Sequence, residues 1–170
     1  MLAGVSRPQP PETGDERAML TVWLDYQRAT LLWKCEALEG DDLARRGVPP
    51  SSLSLLGIVR HMNLVEWHWF DNIFAGSSNP PPMSTDADRD ADFNELAPQL
   101  ALADIEHFQE RCELSRSIVA AADSLDTLAA STRLGTISLR WIMIHMIEEY
   151  ARHNGHADLL REQIDGAVGE

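Results

Sequence analysis

The segment from Arg140 to Glu162 constrains this chain more than any other. Apolar residues recur there at helical spacing (Trp141, Ile142, Met146, Leu159, Leu160), and the same stripe carries His145, Glu149, His153 and His156. Titratable groups thus fall on a face that a packed helix buries. A carboxylate buried without a partner costs several kcal/mol or is forced to take up a proton, so something must compensate it. A divalent metal is the simplest candidate. With a rise of about 1.5 Å per residue, His145 and His153 stand roughly 12 Å apart along the axis, too far for one ion with bonds of about 2.1 Å. One helix therefore supplies two adjacent ligands, and a third must come from elsewhere.

A length of 170 residues suits one domain across 1–170, with a proline-rich lead-in (1–14) read as loosely ordered and a frayed tail (166–170). The formal net charge of −13 argues against sequence-independent binding to nucleic acid or to an anionic membrane, both of which use clustered Lys and Arg. No apolar run is long enough to span a bilayer, and the N-terminus lacks the apolar core of a secretory signal. The expectation is a soluble, cytoplasmic protein. Cys35 and Cys112 lie in separate helical patterns without a CxxC pair, as core thiols in a reducing compartment do.

The remaining periodicity predicts four helices. The first runs from about Asp15 to Leu38, with Leu20, Leu24, Leu31, Cys35 and Leu38 inward, Trp23 and Trp33 beside them, and Gly40 as its stop. The second runs from about Ser52 to Phe74, capped from the Pro49–Ser52 cluster, with His61 on its apolar side. A long Pro-, Ser- and Asp-rich loop from Gly76 to about Asp92 follows, and long loops often border sites. The third helix spans roughly Phe93 to Ala122, with Ala101, Ile105, Phe108, Cys112, Ser115 and Val119 inward. After a linker from Ser124 to Gly135, Ser138 caps the fourth. No segment alternates with period two, so the expected fold is all-α, a four-helix bundle. Dimerisation through helix faces fits such a bundle, although no exposed apolar stripe singles out an interface.

Metal sites in bundles are built in the core from facing helices. Glu149 and His153 form an i, i+4 pair, and His61 lies on the apolar face of another helix, which makes His61, Glu149 and His153 the expected metal ligands. His145 is the rival, because His145 and Glu149 share the same spacing. His156 is placed to orient a neighbour. His68 and His107 read as surface or rim residues, and the five tryptophans most simply as core and loop-packing groups, with pocket lining the alternative for Trp67 and Trp69 beside the site. The plainer alternative makes these satisfied core histidines and pairs the glutamate with Arg152 or Arg140.

The segments Ser54–Phe70 and Leu139–Glu162 together resemble the DinB-like (YfiT-like) metalloprotein superfamily, and most closely its actinobacterial branch related to mycothiol-dependent S-transferases and maleylpyruvate isomerase. The resemblance covers about Asp15 to Gly166. It implies a four-helix bundle holding zinc or nickel through one helix-two histidine and two helix-four ligands, and it selects His61, Glu149 and His153 over sets containing His145. Many superfamily members have His-x-x-x-His in the fourth helix, whereas this chain has Glu149 at the first position.

Two imidazoles and a carboxylate leave a coordination position open, as catalytic zinc sites do. A thiol entering that position becomes a thiolate, the nucleophilic form, and can attack a small electrophile. The leading expectation is a metal-dependent S-transferase using mycothiol with a metal-bound thiolate as nucleophile, and His145 or His156 assisting. The alternatives are a non-catalytic, stress-related metal-binding bundle, and a metal-dependent hydrolase or oxygenase. The absence of H-E-x-x-H weighs against a protease.

Overall fold

The computed structural model describes residues 2–83, 88, 90–131 and 135–169. Parts of the long loop (84–87 and 89), of the linker (132–134) and of the two ends (1 and 170) lie outside the described residues. The fold is all-helical. Its long members are α1 (Glu16–Cys35), α3 (Leu55–Glu66), α5 (Ala101–Ala121) and α6 (Leu139–Asp165), with single-turn helices α2 (Gly40–Leu43) and α4 (Ala91–Asn94) in the connections. Helix α1 lies along α6, α3 packs on α5 and α6, and α4 rests on α3.

Each long helix buries the face its sequence period marks. On α5 the inward residues are Ala101, Ile105, Phe108, Cys112, Ser115 and Val119, as their spacing predicts. Side-chain caps open three of the helices: Asp15 accepts from the Ala18 N–H, Ser54 from Gly57 and Ser138 from Trp141.

Several boundaries differ from expectation, each for a local reason. Helix α1 ends at Cys35 rather than near Leu38, and Ala37 takes the left-handed conformation (φ 62°). Gly40 opens α2 instead of closing α1. A Cβ there would come within 1.9 Å of the Pro98 carbonyl oxygen, so glycine is required by close approach. Helix α3 starts at Leu55 because Ser54, not Ser51 or Ser52, is the cap. The expected third helix is broken: α4 ends at Asn94, and a 3-10 turn, Pro98–Leu100, precedes α5. The backbone between them is extended before Pro98, as the residue ahead of a proline prefers. The N-terminal lead-in is irregular but fastened. Gly4 and Val5 donate to Glu36, the Ala37 N–H bonds Leu2, and Arg7 lies 4.3 Å over the Trp33 ring.

Helix α3 continues without interruption into a π-helical stretch, Trp67–Phe74. The wider winding advances each side chain by less than the α-helical angle, and such segments are frequent at functional sites. The strand-like part of the linker closes over its end: Ala130 and Ser131 donate to Phe74 and Ile73.

Candidate metal centre

Ligand atoms from His61, Glu149 and His153, one per residue, all lie within 4.8 Å of one another. His61 projects from α3, and the i, i+4 pair from α6. The His61 and His153 rings are 4.8 Å apart between centroids, and His153 Nε2 stands 3.7 Å from Glu149 Oε2. His153 is buried, and the other two are half-buried at the rim.

The partners of these groups decide what they offer. The Nδ1–H of His61 donates to Asp92 Oδ2 at 2.7 Å, which orients the ring and leaves Nε2 outside that bond. Asp92 is itself buried, on α4, and its other oxygen accepts from the Phe93 N–H. Arg60 holds α4 in place by donating to the Asp92 and Ala91 carbonyls. Gly57 eases the contact: a Cβ there would meet Phe93 Cδ1 at 2.9 Å, so the Phe93 ring lies where it does against α3 because position 57 has no side chain. His153 has no hydrogen-bond partner, and its Nδ1 is buried without one. Burial, followed by the neighbouring His61, His156 and Arg152, pushes its pKa down to about 4, so the ring is neutral, the form that donates a lone pair.

His145 lies one turn before Glu149, with Nε2 3.8 Å from Glu149 Oε1. With Glu148 and Glu149 it forms a second group within 4.8 Å. Arg152 already serves both carboxylates there, bonding Glu148 and standing 3.8 Å from Glu149 Oε1. His156 sits on the other side, its ring 5.4 Å from that of His153 and edge-on to it. His68 is half-buried between Trp67 and Trp69, and His107 is exposed on α5. The Trp67 indole donates to the Asn79 carbonyl in the long loop, and Trp69 reaches His145.

Two expectations about α6 need correction. Trp141 and Leu159 are exposed rather than inward, because the buried arc is centred on Ile142, Met146, Tyr150, His153 and Leu160. The residues His145, Glu149 and His156 therefore border that arc instead of occupying it. Asp92 was not marked by the sequence, since it is one of four aspartates alternating through 86–92 and no spacing distinguishes it. A buried ion pair was also missed: Glu66 accepts two hydrogen bonds from Arg28, both 2.8 Å, and a third from the Tyr150 hydroxyl at 2.7 Å.

The three groups are close enough to hold a metal ion together. His153 Nδ1 is buried without a hydrogen-bond partner, as are His156 Nδ1 and the side-chain oxygens of Asn63 and Asn154. Two imidazole nitrogens and one carboxylate are a donor set suited to zinc or nickel. In comparisons with known proteins, a family model described as Mycothiol-S-transferase matches residues 19–166. Curated proteins gave no match.

Proposed function

The chain belongs to the mycothiol-S-transferase family, and on that premise we propose that it joins the sulfur of mycothiol to a small electrophile at a cation held by His61, Glu149 and His153. The observation that carries the reading is the convergence within 4.8 Å of two imidazoles and a carboxylate from two helices, with Asp92 bonded behind one of the rings. A divalent cation bound there supplies a Lewis acid that lowers the pKa of an entering thiol towards neutrality.

The chain's own residues do the rest. Asp92 keeps the His61 proton on Nδ1, so Nε2 stays available. The buried side of His153 excludes water from one flank of the site. His145, with Nε2 directed at Glu149, is the titratable group placed to accept the proton the thiol loses. The sulfur then forms a C–S bond with the electrophilic carbon. In a substitution the leaving group departs with its electron pair; in an addition, the pair of the opened double bond takes up the proton. No protein thiol takes part: burial pushes Cys35 and Cys112 up to about 12, and neither has thiolate character near neutral pH.

The test is elemental analysis and conjugation assayed together. The expected result is about one equivalent of zinc or nickel and S-conjugation of mycothiol to a panel of electrophiles, both lost in Glu149→Ala/His153→Ala. A metal-loaded protein that conjugates none of the panel, while a known transferase does so alongside, would sink the catalytic reading. Such a result would leave a metal-binding bundle.

A further inference from the structure

The α6 surface leading away from Glu149 carries an aromatic platform that the proposed reaction does not use. Trp141 stacks on His145, with ring centroids 5.0 Å apart and planes 21° apart. Trp69, delivered by the π-helical stretch, closes the corner at 4.7 Å from His145 and 5.3 Å from Trp141. Despite these contacts Trp141 is 47% exposed, so a large indole is held in a fixed orientation with much of its surface open. What sets Trp141 apart from the other exposed apolar side chains is that its ring is oriented by two aromatic neighbours, Trp69 and His145, while its remaining surface stays open. Further along the same helix, at i+7 and i+11 from Trp141, Glu148 and Arg152 supply an acceptor and donors.

The geometry points to this platform as the subsite for the sugar portion of mycothiol, a proposal that rests on the S-transferase reading above. Trp141 and Glu149 are eight residues apart, about 12 Å along the axis, so a thiol seated at His61, Glu149 and His153 can run its body back over two helical turns onto the indole. A sugar ring presents C–H groups to an aromatic face and hydroxyls around its edge, which suits the open indole of Trp141, with Glu148 about two turns further along the helix as an acceptor. Charge discriminates in the same direction. The body of mycothiol has no ionised group, whereas glutathione brings two carboxylates towards Glu148 and Glu149 on a chain of net charge −13. The platform thus selects a neutral polyol thiol over an anionic peptide thiol.

The experiment uses the sulfur-free sugar portion, N-acetylglucosaminyl-inositol, titrated calorimetrically into full-length metal-free protein. Saturable binding is expected, accompanied by a change in tryptophan emission. Trp141→Ala should weaken that binding about tenfold and Trp141→Phe should restore most of it. In conjugation assays Trp141→Ala should raise KM for mycothiol about tenfold, with KM for the electrophile and the metal content unchanged. Glutathione should not compete. Absence of sugar binding while mycothiol conjugation is intact would overturn the subsite, as would a Trp141→Ala effect confined to the electrophile. Sugar binding without any conjugation would support the subsite and count against the S-transferase reading instead, so the two failures are separable.

Discussion

Helices α3 and α6 carry two charged clusters that differ in one respect. In the core, Glu66 is fully buried and its carboxylate is saturated by Arg28 and the Tyr150 hydroxyl, with the Cys112 sulfur 3.9 Å from that hydroxyl. At the rim, His61, Glu149 and His153 come from the same two helices, yet His153 has no hydrogen bond and Glu149 only ion-pair contacts of 3.7 Å or more. The first cluster is complete within the protein. The second leaves its groups without hydrogen bonds to one another, and it is that contrast, more than burial, on which the proposed ligand role rests.

The contrast can be broken most forcefully in the core. Glu66→Ala strips the buried guanidinium of Arg28 of its two bonds to Glu66 and leaves it only the partly exposed Asp25, and a loss of about 3 kcal/mol of stability is expected by chemical denaturation. If the variant unfolds at wild-type denaturant, the pair is not a structural charge. At the rim the expected result is the opposite. With chelator present, Glu149→Ala/His153→Ala should cost clearly less than Glu66→Ala, about 1–2 kcal/mol, since Glu149 loses only ion-pair contacts of 3.7 Å or more and His153 mainly its packing. With zinc or nickel added, only the wild type should gain stability.

A finer test lies one bond away. Asp92→Asn retains the shape but removes the charge behind His61, and metal affinity measured against a competing chelator should fall about 10–100-fold while the metal-free fold keeps its melting temperature. Unchanged affinity would show that Asp92 only packs. The smallest effect is in pH. Burial lowers the His153 pKa to about 4, so between that value and the ordinary histidine range the unfolded chain binds more protons than the folded one. Stability of the metal-free protein should therefore fall as pH drops from about 6.5 towards 4, and His153→Ala should flatten that part of the profile.

Much of this was legible in the chain because it is local. The inward face of α5, the Ser138 cap and the Glu149/His153 pair follow from spacing along one helix, and a histidine on the apolar side of α3 supplied the third member. What escaped depends on long-range contact. Arg28 and Glu66 carry no spacing signal, and nothing over 38 positions announces that they meet. Asp92 depends on where α4 docks. Trp141 was assigned to the core because it is large and apolar, while hydrophobicity alone does not fix which edge of a stripe turns outward. The π-helical winding after Glu66 has no composition signature, and it sets the direction of Trp69.

The bare backbone at Gly57 has a consequence for how such a site can vary. A methyl group there would press on the Phe93 ring and lift α4, and Asp92 would retreat from the back of His61. The support behind His61 is thus set at a position that has no side chain of its own. A change at residue 57 would shift Asp92 while His61, Glu149 and His153 all stayed the same, and a comparison of those three residues alone would miss it.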